Sequence, residues 1–477
     1  MKRYQSIIDL YQSWAGSKPE RVEVLSADGS SRQYIRLVSC GRSVIGTLNG
    51  DRRENQAFLT LSRHFRAKGL PVPEIFADDL DQGIYLQQDL GDKTLYSSLT
   101  VSRSESGLAD ETVDLYGKVV QQLAAFQVKG AEGLDFSVCY PREAFDSQSI
   151  HWDLNYFKYH FLRFAGVSFD EQRLEDDFDR LTTYLLEAET GFFLYRDFQS
   201  RNIMVHDGQP WFIDYQGGRR GALQYDIASL LQDGKADIPW AQRETILCRY
   251  LENLQSLHSV DEVRFMQHYY GYGLIRLMQA LGAYGFRGLH EGKSYFLKSI
   301  GYGIRNLDAI LERAVLPVRL DELESVWAQI RESQWLREMG MPSGSALTVH
   351  IASFSYHKGL PQDVSGNGGG FVFDCRILPN PGRLPEYARL TGMDTEVVSY
   401  LEKSDTVTAF RGNVFNIVDR AVSHHLSRGF TDLTVNFGCT GGQHRSVYFA
   451  EETARRVRKQ FGVNVSLDHR EQEHLKR

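Results

Sequence analysis

The apolar and polar pattern from Gln33 to Val38 and from Ser43 to Leu48, either side of Gly41, predicts a strand-loop-strand. The small and polar stretch Ala27, Asp28, Gly29, Ser30, Ser31 precedes it. A helix is predicted from Glu54 to Phe65; Gly69 to Pro73 stops it before another strand, Gly83 to Gln88. Val113, Tyr116, Val120 and Leu123 recur at helical spacing. Helical patterning then dominates to residue 338, broken by short strands around Phe192 to Tyr195 and Trp211 to Ile213.

The run Gly340 to Ser345 has the composition of a linker, and beyond it the pattern changes. Leu347 to Ala352 and Phe371 to Cys375 read as strands, and Leu433, Val435 and Phe437 alternate as a third. Ala450, Ala454, Val457 and Phe461 then mark one face of a helix. The expected division is a first domain at 1–338, a linker at 339–346 and a smaller α/β domain at 347–477, about 130 residues and a common domain size. No internal repeat stands out.

Length supports this division, because 477 residues exceed what one hydrophobic core usually serves. The net charge of −7 argues against a dedicated nucleic-acid coat. The opening MKRYQSIIDLYQSWAG has polar residues among its apolar ones, and no long uncharged apolar run occurs, so neither export by such a signal nor a membrane span is expected. Cys40, Cys139, Cys248, Cys375 and Cys439 form no close pair, which fits a reducing, cytoplasmic setting.

Candidate chemistry begins with YRDFQSRN, Tyr195 to Asn202, which follows an apolar strand, and WFIDYQ, in which Asp214 is placed at the end of a second. An Asp followed five residues later by Asn sets a carboxylate near a substrate hydroxyl while the amide turns toward a metal. Asp214 completes a Mg²⁺ site, and Asp197 orients the hydroxyl and accepts its proton. Asp and Asn also serve ordinary turns, so the flanking strands and Asp214 carry the reading. Asp226, in YDIASL, is expected to buttress the catalytic loop. His151, Trp152, Asp153, Asn155 and Tyr156 mix ring-stacking and hydrogen-bonding groups as a sugar site requires, with Arg276 and Gln279 adding to it from a later helix or forming helix surface and core instead.

In the second domain, LTVNFG leads into Cys439, Thr440, Gly441, Gly442, Gln443, His444, Arg445 and Ser446 before a helix. Glycines let backbone N–H groups turn inward, the helix N-terminus adds partial positive charge, and Arg445 offers a fork to phosphate. His357, Lys358 and Arg376 follow other predicted strands and are expected at the same sheet edge. The Cys439 to Arg445 spacing also satisfies that of cysteine phosphatases, a minority reading because no general acid can be assigned.

On SADGSSRQYIRL, GLPVPEIFADDLDQGIYLQQDLGD, YRDFQSRNIM and IDYQGGRRGALQYDIASLL, residues 1–330 resemble the aminoglycoside phosphotransferase and choline kinase family, and within it bacterial anomeric kinases of N-acetylmuramate and N-acetylglucosamine. The resemblance implies an α+β, protein-kinase-like domain with a small lobe at about 1–90 and a large lobe at about 91–338. It further implies ATP and Mg²⁺ as cofactors, Asp197 as catalytic residue, Asn202 and Asp214 as metal ligands, and phosphorylation of an amino sugar's C1 hydroxyl in cell-wall recycling. Tyr195 stands where many members have His, and a hydroxyl replaces an imidazole as donor. Strand SVIGTL lacks the lysine that would hold the nucleotide phosphates beside Glu54. Arg32 or Arg36 is the candidate substitute, with strand-surface solvation as the plain alternative. Gly29, Ser30 and Ser31 either cap the phosphates through backbone N–H groups or form a simple turn.

On SFSYHKGLP, VFDCRILPNP, LTGMD and GCTGGQHRSV, residues 347–470 resemble the carboxy-terminal domain of the RNase adapter protein RapZ. That implies an amino-sugar phosphate such as glucosamine 6-phosphate at Thr440 to Ser446, and RNA or protein partners. Against RNA, the basic Arg455, Arg456, Arg458 and Lys459 are balanced by Glu451, Glu452, Glu471 and Glu473. The oligomeric state stays open. The leading expectation is an amino-sugar kinase carrying a phosphosugar-binding domain; the rival is an adapter whose kinase domain is a non-catalytic sensor.

Overall fold

A computed structural model of the chain describes residues 2–25, 32–104, 107–234, 236–291, 294–338, 347–361, 370–427 and 430–472. One compact unit holds 1–291 and 296–340, and a second lies beyond 341. The linker expected at 339–346 falls outside the described residues.

The first unit opens with helix α1 (Gln5–Ala15) and a five-stranded antiparallel sheet, built from β1 (Arg21–Leu25), β2 (Gln33–Ser39), β3 (Arg42–Leu48), β4 (Ile75–Asp79) and β5 (Ile84–Gln88) in the order β1-β2-β3-β5-β4. Sequence pattern finds β2, β3 and β5 but passes over β1 and β4, the two edge strands, neither of which has a fully buried residue. Helix α1 buries Ile7, Ile8 and Tyr11 in the core that includes the sheet's Ile35, Leu37, Val44, Ile84 and Leu86. Position 46 of β3 has to be glycine, because a Cβ there would collide with Ile7.

Between β3 and β4 runs α2 (Arg52–Ala67), started by Asp51, whose side chain accepts from the N–H groups of Arg53 and Glu54 at 3.0 and 3.1 Å. Its buried Phe58, Leu61 and Phe65 join one continuous core with Phe126, Phe193, Tyr195 and Tyr215 of the large lobe. Phe58 stacks on Tyr215 at 5.3 Å, and Phe65 meets Phe126, Phe193 and Tyr215 edge-on. These rings fix α2 against the segment after Asp214.

The large lobe is mainly helical. Helix Glu262–Tyr284 packs on helices Ser147–Phe157 and Gln224–Leu231, and helix Asp110–Val128 packs on two short ribbons, Phe192–Leu194 with Arg219–Gly221 and Ile203–His206 with Gln209–Phe212. The site loops hang from these ribbons. The unit is thus a two-lobed, protein-kinase-like α+β fold.

The second unit is α/β. Its four strands are parallel, in the order Phe371–Asp374, Asp432–Cys439, Thr348–Ser355 and Asn464–His469. Strand Asp432–Cys439 is buried along nearly its whole length, as expected of a central parallel strand whose faces are both covered. Helices Asp405–Ser427 and Arg445–Phe461 pack on it. Among the described residues no helix is long and apolar enough to cross a membrane.

Candidate functional site

The loop from Tyr195 to Asn202 is held from below by Asp226 at the start of helix Gln224–Leu231. Its carboxylate accepts from the N–H groups of Tyr195 at 2.7 Å and Arg196 at 2.9 Å, the buttress expected of it. Asp226 is completely buried, and that burial pushes its carboxyl up to about 7, against the two amides that favour the ionised form. The Tyr195 hydroxyl donates to the Ile213 carbonyl at 2.7 Å, so the ring ties the loop to the residue before Asp214. Arg196 takes a left-handed φ of 82°, a conformation costly for a non-glycine residue. Its guanidinium is clamped by both oxygens of Asp153, at 2.7 and 2.6 Å, and donates to the Tyr225 hydroxyl at 2.7 Å.

Asp197, Asn202 and Asp214 come together as their spacing suggests. The Asn202 amide nitrogen donates to the Asp197 carbonyl at 2.9 Å and to Asp214 Oδ2 at 3.1 Å. That leaves the Asn202 carbonyl oxygen as its atom for a cation. Asp214 lies two residues past strand Gln209–Phe212, at a left-handed φ of 69°, and Gln216 donates to its Oδ1 at 2.7 Å. Partial desolvation within the site, then the neighbouring Asp197 carboxylate, raises its carboxyl above the usual aspartate range although part of the side chain stays exposed. A cation here would relieve that repulsion. Among the described residues no cluster of three or more His, Cys, Asp or Glu side chains forms a metal cage. The hard oxygens of Asn202 and Asp214 suit Mg²⁺, which binds through one or two carboxylates and completes its shell with phosphates and water.

On the small-lobe side, Arg32 immediately precedes β2. Its side chain is only 5 % exposed, with Nη2 on Glu54 Oε1 at 2.6 Å and Nη1 on Asp214 Oδ1 at 3.4 Å. Glu54 is itself fixed by the Asn49 amide at 2.8 Å. A guanidinium thus occupies the place beside Glu54 that β3 leaves without a lysine. Arg36 does not share it, being committed to Asp89 at 2.6 Å and Asp92 at 2.7 Å. Gly29, Ser30 and Ser31 lie outside the described residues.

The residues expected to bind sugar divide. Asp153 is buried and spent on Arg196. Tyr156 lies against His160, with ring centroids 4.7 Å apart, and over Gly282 of helix Glu262–Tyr284. That same helix carries Arg276, which donates to Ser229 Oγ at 2.9 Å and Gln279 Oε1 at 2.5 Å. Asn155 is partly exposed and forms no side-chain hydrogen bond among the described residues. Sequence reasoning passed over Arg196 and Arg219. Arg219 is 6 % exposed and donates through Nε and Nη2 to the Gly217 carbonyl at 3.1 and 2.9 Å. Burial, then nearby Arg196, pushes its guanidinium down to about 10. The signal available was the pair of arginines after GG, close behind Asp214.

In the second unit, the loop after strand Asp432–Cys439 is tied inward by most of its side chains. Gln443 donates to the carbonyls of Ala388 and Leu390 at 3.2 and 2.7 Å, His444 Nε2 lies 2.9 Å from the Tyr387 carbonyl, and Ser446 Oγ lies 3.1 Å from Cys439 Sγ. Arg445, 4 % exposed, donates through Nη1 to the carbonyls of Arg376 and Leu378 at 3.1 and 3.0 Å. The fork expected to face a phosphate is thus turned into the protein, while Thr440 and Gly441 are exposed. Gly442 takes a φ of 68°, and a Cβ on it would collide with Glu471. The sheet edge does gather several expected residues. Ser355 Oγ donates to the Thr440 carbonyl at 2.6 Å, Lys358 pairs with Glu471, and Arg376 lies 3.9 Å over the Tyr356 ring while paired with Asp374. His357 is exposed at the same edge.

Comparison with known proteins places residues 21–265 in the phosphotransferase enzyme family and residues 347–473 in the RapZ C-terminal domain. A curated nucleotide-binding protein of Thermotoga neapolitana is 34 % identical over 194 residues, 38 % of this chain and 66 % of its own length. Another, of Idiomarina loihiensis, is 39 % identical over 165 residues, 35 % of this chain and 55 % of its own length. The chain therefore spans about half to two-thirds of these relatives. Among solved structures, a choline/ethanolamine kinase family protein of Mesorhizobium loti matches over 70 % of this chain and 100 % of its own, at 13 % identity and a TM-score of 0.44.

Proposed function

Because the chain belongs to the phosphotransferase enzyme family and carries a RapZ C-terminal domain, we propose that it transfers the γ-phosphoryl group of ATP to a hydroxyl of an amino sugar, with the anomeric hydroxyl of N-acetylmuramate or N-acetylglucosamine as acceptor. The observation that carries this reading is the meeting of Asp197, Asn202, Asp214 and the Arg32–Glu54 pair at one place. Asp197 accepts the acceptor proton and orients its oxygen. Asn202 and Asp214 would hold Mg²⁺, which when bound neutralises charge on the transferring phosphates. Arg32 supplies the fixed positive charge for those phosphates, positioned by Glu54. Asp226 and the Arg196–Asp153 clamp keep the loop in its strained shape, so that Asp197 needs no reorganisation during transfer.

The non-catalytic adapter reading drew on the missing strand lysine, and Arg32 beside Glu54 weakens it. For the second unit we propose binding of an amino-sugar phosphate at the sheet edge, supported by exposed Thr440 and Gly441 next to Lys358 and Arg376. The phosphatase reading has less support, since Cys439 is 3 % exposed and the Arg445 guanidinium is engaged by carbonyls. Purified protein incubated with ATP, Mg²⁺ and a panel of free sugars tests the proposal. Sugar-dependent release of ADP is expected, and its absence with every sugar, despite nucleotide binding, favours the adapter.

A further inference from the structure

Two guanidiniums beside the catalytic loop have no carboxylate of their own. Arg219 is bonded only to the Gly217 carbonyl, and Arg276 only to Ser229 Oγ and Gln279 Oε1, among the described residues. For buried Arg219 a cation hydrogen-bonded only to a neutral carbonyl is expensive to keep, although Asp153 and Asp197 act on it through space; Arg276 is partly exposed. The contrast with Arg196 is direct, since that guanidinium is matched by both oxygens of Asp153. Arg276 bonds Ser229, one turn along helix Gln224–Leu231 from Tyr225, and the Tyr225 hydroxyl is bonded to Arg196, near which Arg219 lies. Gly217 ties this region to the chemistry. Its carbonyl receives Arg219, and a Cβ built on it would stand 3.8 Å from Asp197 Oδ2.

We infer that Arg219, with Arg276, receives an anionic group carried by the hydroxylated acceptor, a carboxylate or a phosphate ester, and so selects acidic over neutral sugars. The inference rests on the proposed kinase reading for its acceptor but not for its anion. A carboxylate or phosphate matches the planar fork of Arg219, whose Nη1 has no partner among the described residues. It would also supply a directly bonded counter-charge, which Asp153 and Asp197, acting on Arg219 only through space, do not. A cationic acceptor of the choline type is disfavoured by the same two charges.

Calorimetry in the presence of ADP and Mg²⁺ with N-acetylmuramate, N-acetylglucosamine and glucosamine 6-phosphate tests this on the full chain, alongside Arg219→Gln, Arg219→Lys and Arg276→Gln. The parent is expected to bind at least one acidic probe about tenfold or more tighter than the neutral sugar, the scale of one charge-assisted contact. Which acidic probe gains separates carboxylate from phosphate. Each Gln variant should lose most of that preference while holding the neutral sugar within about twofold, and Arg219→Lys should recover part of it. Equal binding of acidic and neutral sugars by the parent, or equal loss of both in the variants, overturns the inference. If no sugar binds, the amino-sugar reading falls, and inorganic sulfate then decides the anion site. Thermal stabilisation by sulfate in the parent but not in the Arg219→Gln, Arg276→Gln double variant supports it, and the same stabilisation in both overturns it.

Discussion

Replacing Arg32 by Gln tests whether a guanidinium outside β3 does the work of the absent lysine. In the folded protein Arg32 bridges Glu54 and Asp214, so the change removes one close ion pair, at 2.6 Å, and one loose one, at 3.4 Å. Arg32 itself is almost fully enclosed, but Glu54 and Asp214 keep 26 % and 40 % of their side-chain surface. Water can therefore reach both carboxylates once the cation is gone. The full cost of breaking a buried pair, about 3 to 5 kcal/mol, then falls to about 1 to 2 kcal/mol of stability. Nucleotide binding should suffer separately. Loss of one charge-assisted phosphate contact, about 1.5 to 3 kcal/mol, raises the dissociation constant for ATP by roughly 10- to 150-fold. Arg32→Lys should restore part of the affinity, because a point charge still attracts phosphate although it cannot fork to Glu54 and a phosphate oxygen together. Differential scanning fluorimetry and titration with ATP and Mg²⁺ read the two effects. An Arg32→Gln protein that binds nucleotide as tightly as its parent would refute this account of the missing lysine.

Asp197→Asn should lower turnover by about 10² to 10⁴ while leaving nucleotide affinity within about twofold, and parent-like turnover in a steady-state assay would remove Asp197 from the mechanism. Asp214→Ala should raise the Mg²⁺ concentration needed for half-maximal activity, which a metal titration measures. Because the Asp214 carboxyl is raised above the usual range, its proton competes with Mg²⁺ at a higher pH than an ordinary aspartate's would. The Mg²⁺ requirement of the parent should therefore climb on acidification at a higher pH than an ordinary aspartate ligand would show, and a flat profile counts against Asp214 as a ligand. Arg445→Ala strips two carbonyls of their donor inside a packed core, so it should cost about 2 to 4 kcal/mol in a denaturant melt, whereas a surface phosphate ligand would cost stability little.

Much of the first unit was legible because its chemistry is local. Asp197, Asn202 and Asp214 lie within one strand-loop-strand stretch, so their spacing alone brings them together. The Asp226 buttress could be read for the same reason. Asp153 resisted such reading, since its partner Arg196 is 43 residues away and either a sugar or a guanidinium would satisfy the same carboxylate. The edge strand β1 was missed because RVEVL is too exposed to leave a clear buried face. Glu54 and Arg32 were found as residue types before their pairing was known. Only the fold brings the start of β2 against α2 and selects Arg32 over Arg36, which Asp89 and Asp92 hold elsewhere.

Arg32 and Arg445 carry the physical reason for the remainder. Both were assigned to phosphate from sequence alone, Arg32 as a substitute for the lysine missing from β3 and Arg445 from its place at a helix N-terminus. A guanidinium, however, goes to whichever acceptors the packing leaves unfilled, and those belong to other segments. Beside Arg32 the open acceptors are two partly exposed carboxylates, Glu54 and Asp214, so the enclosed guanidinium is held next to the residues proposed to bind Mg²⁺ and phosphate. Beside Arg445 they are the carbonyls of Arg376 and Leu378, released where strand Phe371–Asp374 ends in a single tight turn. A buried carbonyl without a donor is costly, so this turn draws Arg445 inward. An anion proposed at this loop would then rest on its backbone N–H groups, Thr440 and the cations at the sheet edge rather than on the arginine that first suggested it.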